Sequence, residues 1–390
     1  MDPASNPVES AAEPSAPSPS KPNRIQGLDA LRGFDMFWII AGEWLVLALF
    51  HLREVPALRP IGGALEVLHT QMTHVAWEGV HFYDLIFPLF VYITGVSAVF
   101  SLTKSLKDHG QSATAKKVVL RGLLLYLLGL FYYAGMEEVG DQLRYVGVLQ
   151  RIALSYLVGG LLFTYLPLRG LIASCVGILV VYWALLSFVP VPGSGAASFE
   201  EGANLANWVD QCCLPGYKWD GQHDPEGLLS SLPAIATMLL GVFSGMLLRD
   251  DAMSEAKKIL LLCLKGGLLL AAGYLWAMHF PIIKKLWTSS YVLVAGGYSC
   301  LMLALFYLVT DVWKFSAWAT PFLWIGANPI TLYLLSGNLM NFEAMAERVV
   351  KGPIRDLLGP YAELVIAALV IWMILAIARF LYRRRIFIRV

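Results

Sequence analysis

The sequence predicts an all-α polytopic membrane protein with about ten transmembrane helices in one bundle. Three observations lead there. Hydrophobic residues make up 57% of the 390-residue chain and charged residues only 15%, against about 25% charged in soluble domains. Mean hydropathy is +0.63. The charges fall between long apolar runs, and in a bilayer only a helix or a closed barrel satisfies its own backbone. A net charge of +1, with basic residues scattered between spans, offers no patch for nucleic acid.

The first 24 residues are rich in Pro, Ser, Ala and Glu and lack an apolar core, so they read as a disordered tail and not as a signal peptide. Residues 25–390 then form the membrane domain. Its expected spans are 29–50, 82–103, 118–135, 145–166, 169–189, 228–248, 259–280, 289–310, 317–337 and 361–382. Alternate connections carry Lys21, Arg24 and Arg32, then Lys104, Lys107, Lys116 and Lys117, then Arg169, Arg249, Lys257, Lys258 and Lys314, and finally Arg383, Arg384, Arg385 and Arg389. The opposite connections hold Glu137, Glu138 and Asp141 and the acidic loop 190–227. Lys284, Lys285, Arg348, Lys351 and Arg355 run against this pattern. The balance of positive charge puts both termini in the cytoplasm and the loops 51–81 and 190–227 outside. Five cysteines are too few for a disulfide framework. Cys175, Cys263 and Cys300 read as packing residues, while Cys212 and Cys213 lie in the longest polar loop, where adjacent cysteines pair with each other only under strain.

One segment concentrates chemistry at a membrane threshold. Between Thr73 and Pro88, His74, Glu78, His81 and Asp84 precede a run of apolar residues. A neutral imidazole is the side chain best suited to take a proton near neutral pH. Asp84 would orient His74 if the loop between them folds back. An unpaired Asp inside a span costs about 2.5–3.5 kcal/mol, so Asp84 is hard to explain as decoration. His81 reads better as an interfacial residue.

Other polar groups carry weaker signals. Asp29, Arg32 and Asp35 recur at i,i+3 spacing on one helix face, which reads first as a self-neutralised ion cluster and second as an Arg32 site for phosphate. Glu43, between Gly42 and Trp44, is an acidic group within the first span. Gln150 and Arg151 open the fourth span, and a guanidinium there fits phosphate or a structural carboxylate such as Asp35 or Glu43 equally well. His223, Asp224, Pro225 and Glu226 precede the sixth span and resemble a helix cap; as a site, Asp224 and Glu226 would add carboxylates on the His74 side. Asn328-Pro329 interrupts the ninth span and frees backbone groups for Asn328 or a ligand to satisfy. The chain contains no glycine-rich phosphate loop, HExxH, CxxC or GxSxG, so no ATP-driven, zinc-protease or serine-hydrolase chemistry is expected, nor a metal at His74 and His81.

Eight segments in order carry a resemblance: LDALRGFD (28–35), HVAWEG (74–79), DLIFPLFVYITG (84–95), GVLQRI (147–152), DPEGL (224–228), LWTSSYVL (286–293), GANPI (326–330) and RRRIF (383–387). Together they resemble the heparan-α-glucosaminide N-acetyltransferase family and its bacterial relatives, over nearly all of 25–390. The resemblance implies acetyl transfer from cytoplasmic acetyl-CoA to the amine of a glucosamine-type sugar across the membrane. It also implies a catalytic His74 with Asp84 as partner, and active-region roles for Arg151 and Asn328. The chain looks like a bacterial, inner-membrane member comprising the membrane core without the family's luminal domain, and family precedent favours a homodimer. Glu43 departs from the pattern, standing where the lysosomal enzyme has an active-site Asn, and would favour a cationic acceptor or raise the basicity of His74.

On this reading His74 acts as general base or as acetyl carrier, and Glu43, Glu78, Asp224, Glu226 and Asn328 are substrate-binding candidates. Lys116, Lys117, Arg121, Arg32 and Arg151 are candidates to hold the CoA phosphates. No metal is expected. Two alternatives stay open: a proton-coupled amino-sugar transporter using His74, Glu43 and Asp84, and an O-acetyltransferase of envelope polysaccharide.

Overall fold

The computed structural model describes residues 25–134, 139 and 142–388. The expected tail 1–24, with Lys21 and Arg24, the acidic residues Glu137, Glu138 and Asp141, and Arg389 lie outside the described residues. The described chain is an α-helical membrane bundle. In chain order the helices are α1 (Gln26–Phe37), α2 (Glu43–His51), α3 (Gly62–Gln71), α4 (Ile86–Tyr133), α5 (Val148–Tyr165), α6 (Leu168–Phe188), α7 (Leu205–Cys213) and α8 (Ser231–Leu248). They continue with α9 (Glu255–Ala277), α10 (Ser289–Tyr307), α11 (Thr320–Gly326), α12 (Pro329–Leu334), α13 (Phe342–Val349), α14 (Pro353–Leu358) and α15 (Ala362–Arg383).

Among the described residues, eight helical segments are long and apolar enough to cross a membrane, against ten expected. Two local departures account for the difference. The expected spans 82–103 and 118–135 fall in one segment, Phe82–Tyr133, broken at Gly110 by a left-handed φ of 79°. Thr114 Oγ1 reaches Ser105 Oγ at 3.0 Å, whereas nine residues of straight helix would separate them by about 13.5 Å. α4 therefore doubles back into two arms, 86–109 and 111–133. The expected span 317–337 is instead α11, α12 and a π turn, Leu335–Leu339. Pro329 has no N–H and crowds the preceding turn, so no continuous helix passes through it. A second π turn, Trp38–Gly42, joins α1 to α2 within one long span.

Glycines set the closest helix contacts. A Cβ on Gly95 would overlap the Met238 carbonyl, and one on Gly241 would overlap that of Tyr92, so the first arm of α4 lies directly on α8. Small residues permit this approach in a bilayer, where helix association depends on packing. Gly33 meets Phe322 and Gly326 meets Asp29 in the same way, docking α1 on α11. Most of α8 is buried, while most of α9 faces outward. Cys175 and Cys300 are buried as expected for packing residues, but Cys263 is exposed on α9.

The two ends of the bundle carry different machinery. At one end Asp311 accepts the backbone N–H groups of Gln26 (2.9 Å) and Gly27 (2.6 Å), and Asn328 bonds the backbone of Ile386 and Ile388. The described chain thus begins and ends on one side. The 24-residue segment Ser289–Val312 leads from there to the opposite end, about 36 Å away at 1.5 Å per residue. There a smaller apolar core of Tyr182, Leu186, Leu205, Phe280, Ile283 and Leu286 fastens the 190–206 loop to the 280–286 segment.

The packing predicts an asymmetric response to added methyl groups. Gly241→Ala should lower the thermal midpoint of detergent-solubilised protein, at a cost of about 1–3 kcal/mol. Gly177→Ala on α6, whose Cβ would meet no atom within 4 Å, should leave the midpoint unchanged or slightly raised.

Candidate active site

Asp84 sits in a short 3-10 turn, Phe82–Leu85, that leads into α4, and is 1% exposed. Its Oδ2 accepts the backbone N–H groups of His81 (3.0 Å) and Val75 (3.2 Å). Its Oδ1 lies 2.8 Å from His74 Nδ1 and 3.2 Å from Lys284 Nζ. A buried carboxylate needs such donors, and these bend residues 74–81 back over it. His81 Nδ1 contacts the Thr73 carbonyl at 2.9 Å and Phe82 N–H donates to Gln71, closing the loop. Tyr291 on α10 donates to the Asp84 carbonyl at 2.6 Å. His74 itself has a side chain 54% exposed. It stacks on Tyr83 with ring centroids 4.7 Å apart, and the Tyr83 hydroxyl reaches Glu43 at 3.4 Å. Lys284 Nζ lies 2.9 Å from His74 Nδ1 and 3.3 Å from Nε2.

His74 opens into a cavity of about 310 Å³, within the range of small-molecule sites. Arg144, Glu226, Asp220, Lys284, Lys285, Trp219 and Trp287 line it with His74. Trp287 has a left-handed φ of 52° and is 1% exposed. Its indole is wedged against Phe87 and Tyr291 and donates to Thr237 at 3.0 Å. Beneath it the Arg151 guanidinium lies 4.7 Å from the indole and donates to Ser230 at 2.5 Å. Arg151 Nε and Nη1, Ser155 Oγ and Tyr156 Oη on α5 are buried without a hydrogen-bond partner among the described residues.

The carboxylates expected to hold substrate are largely engaged. Arg144 bonds Asp224 through two nitrogens, at 2.9 and 2.7 Å, and Glu226 at 2.7 Å. Its guanidinium also lies 4.5 Å from the Tyr133 ring and 4.9 Å from Trp219. Burial opposes its charge, but the bonds to Asp224 and the charge of Glu226 prevail and raise its pKa. Asp224 is therefore no cap of α8, which starts only at Ser231. Asp210 on α7 accepts the backbone N–H groups of Leu228 and Asp224, at 2.9 and 3.3 Å. Burial raises its pKa to about 6, outweighing those bonds, with the charge of Asp224 adding to the rise.

Glu201, Asp220 and His223 place a ligand atom each within 4.8 Å of one another, as a metal site could. Lys285 already supplies a cation there, 2.7 Å from Glu201 and 2.9 Å from Asp220, and these partners raise its pKa against the effect of burial. His223 is 5% exposed and burial lowers its pKa, which favours the neutral ring.

The structure thus unites His74 with Asp84 and links Glu43 to them through Tyr83. Glu226 lines the cavity as a partner of Arg144, and Arg151 lies under its floor. Glu78 is exposed and, among the described residues, pairs through its backbone with Ile283. The remaining expected residues lie elsewhere. Asn328 gives both side-chain groups to Ile386 and Ile388 at 2.9 Å, at the far end of the bundle. Arg32 bonds Asp29 (3.2 Å) and Ser97 (2.6 Å), so the expected ion cluster forms without Asp35, whose carboxylate is buried with no partner among the described residues. Lys116 and Lys117 are exposed on the second arm of α4, and Arg121 packs 4.7 Å from the Tyr156 ring. Lys284 and Lys285 are site residues that motif reading does not find. Their signal is their position, two cations in a connection that the charge pattern expects to be poor in Lys and Arg.

No protein-family model matches the chain. Among characterised proteins it is similar to heparan-alpha-glucosaminide N-acetyltransferase from Mus musculus, 28% identical over 325 residues, covering 69% of this chain and 49% of the mouse protein. The enzyme of the same name from Homo sapiens is 28% identical over 347 residues, covering 73% of this chain and 52% of its own. The chain spans about half the length of the curated relatives it matches.

Two outcomes follow from the buried charges. Arg144→Met should destabilise the fold by about 3–5 kcal/mol, because it leaves buried Asp224 and half-buried Glu226 without their cation; equilibrium unfolding in detergent measures this. Asp210 holds its proton more tightly folded than unfolded. Its stabilising contribution is complete below about pH 4 and is lost as pH rises through about 6. Asp210→Asn should remove that component from a plot of thermal midpoint against pH.

Proposed function

We propose that this chain, a distant relative of the heparan-alpha-glucosaminide N-acetyltransferases, is a membrane acetyltransferase. It moves an acetyl group from cytoplasmic acetyl-CoA to the amine of a glucosamine-type sugar on the other side. The observation that carries this reading is the accessible His74 imidazole, tied through Nδ1 to buried Asp84 and set in a cavity at one end of the bundle. With Nδ1–H donated to Asp84, the lone pair lies on Nε2, the nitrogen that takes a proton.

An ammonium cannot attack a thioester, so the acceptor must lose a proton. In direct transfer the amine nitrogen bonds the acetyl carbon, its proton passes to His74 Nε2, and the carbon–sulfur bond breaks to release CoA as thiolate. In the covalent variant Nε2 bonds the acetyl carbon as the C–S bond breaks and CoA leaves as thiolate; the amine then displaces Nε2, and its proton passes to the freed ring nitrogen. Asp84 holds the ring tautomer in both. Glu43 acts behind Tyr83 and favours a cationic acceptor. Asp224 positions Arg144 and does not touch substrate.

The donor must span most of the membrane. Lys116, Lys117 and Arg121 would receive its phosphates from the α4 hairpin, with Arg32 nearer that end. The unpartnered polar atoms of Arg151, Ser155 and Tyr156, about 7.5 Å along α5, would give its amide-bearing arm hydrogen bonds on the way to His74. Buried donors and acceptors left unmade cost about 1–3 kcal/mol each, which supports a ligand that meets them. A bacterial inner membrane, cytoplasmic termini and a homodimer fit this scheme.

Purified protein incubated with labelled acetyl-CoA and a panel of amino sugars should release free CoA and N-acetylated sugar. His74→Ala should lower the rate about 10²–10⁴-fold with normal folding, and Asp84→Asn should follow it. Uptake of amino sugar into proteoliposomes without CoA release would establish transport instead, and label on sugar oxygen would establish O-acetylation.

A further inference from the structure

Two adjacent lysines at the cavity have separate partners. Lys285 is held by Glu201 and Asp220, at 2.7 and 2.9 Å. Lys284 reaches both members of the His74–Asp84 pair, 2.9 Å from His74 Nδ1 and 3.2 Å from Asp84 Oδ1. Its neighbours Ile283 and Leu286 are fully buried in the smaller core, which fixes the segment that carries it.

These contacts cannot all be hydrogen bonds at once. A ring nitrogen either donates or accepts, and an ammonium only donates. If Nδ1–H points to Asp84, the ammonium can donate to Asp84 Oδ1 at 3.2 Å or to the Nε2 lone pair at 3.3 Å, and Nε2 is a base while the ammonium stays on Asp84. If Lys284 donates to Nδ1, the ring proton moves to Nε2 and the base is blocked. An imidazolium would place a second positive charge about 3 Å from the ammonium, with one carboxylate to serve both.

Resting on the acetyltransferase reading, we propose that Lys284 is a positioning residue that keeps His74 uncharged and, by sharing Asp84 Oδ1 with Nδ1–H, selects the tautomer whose lone pair is on Nε2. Glu78, paired through its backbone with Ile283 beside Lys284, has its side chain in solvent, where water screens it, and the other nearby carboxylates have partners. Glu226 is matched to Arg144 and Asp220 to Lys285. Glu43 reaches the ring only through Tyr83, His81 is held on the Thr73 carbonyl, and Arg151 below adds positive charge. During transfer, the proton that Nε2 takes from the amine as the C–N bond forms makes an imidazolium beside Lys284. The proton then passes to the CoA thiolate as the C–S bond breaks, which relieves the repulsion between the two neighbouring cations. Burial lowers the pKa of Lys284 itself, against the pull of Asp84, so the same device fails at alkaline pH when the ammonium is lost.

The test is the pH profile of kcat/KM for acetyl transfer together with ¹⁵N spectra of histidine-labelled protein, in which His74 is identified by its loss in His74→Gln. In Lys284→Met the acid limb should move up by about one pH unit or more, and the His74 signal should change from neutral to imidazolium near neutral pH. Lys284→Arg, which keeps the charge, should behave as the unmodified protein. An unmoved limb and an unchanged His74 signal in Lys284→Met would overturn the proposal, as would the same displacement in Lys284→Arg. If the unmodified protein transfers no acetyl group, the acetyltransferase reading fails while the spectra still decide the role of Lys284.

Discussion

A single carboxylate at the edge of the membrane organises one end of this molecule. Asp84 is almost fully enclosed, and an enclosed charge is tolerated only when donors replace its water. Both oxygens are bonded twice, by two backbone N–H groups and by the side chains of His74 and Lys284. Those donors come from the loop before α4 and the connection before α10. Satisfying Asp84 therefore draws distant parts of the chain to one point and aims an imidazole at the cavity. The cost of burying the charge and the placement of the reactive side chain are one physical fact.

A second buried charge, Arg144, does the same for the opposite wall. It gathers Asp224 and Glu226 under two aromatic rings and fastens the long polar loop over the end of α5. Lys285 adds a third tie through Glu201 and Asp220. The cavity is thus framed by matched ion pairs, while its apolar floor rests on Trp287. Under the proposed chemistry this arrangement leaves His74 as the group able to change its protonation, with its neighbours already committed.

Much of this was legible in the chain, and what was missed was missed for definable reasons. The His74 and Asp84 pairing follows from two polar residues at the threshold of an apolar run, where the penalty for an unpaired charge makes a partner necessary. Asp224 and Glu226 look like open carboxylates beside a helix start, yet Arg144, some eighty residues away, takes them; no local pattern encodes that. The family resemblance implies an active-region role for Asn328, but it lies at the other end of the bundle, where Pro329 breaks the helix and the C-terminal segment bonds its side chain. Lys284 and Lys285 run against the alternation of positive charge along the chain. That violation was the one sequence signal of their role.

The sequence by itself determined the class of structure, since a bilayer selects on composition and run length. Apolar segments long enough to cross must become helices whatever their neighbours. It also determined where polar groups would be too costly to leave alone, and so pointed at His74 and Asp84. Only the tertiary structure decided which charges meet. Gly110 turns two expected spans into one hairpin, the 280–286 segment docks against a remote loop, and Lys284 arrives 2.9 Å from His74 across 210 residues. Contacts of that separation depend on helix packing and on which buried charges find one another, and neither quantity is written in any local stretch of the chain.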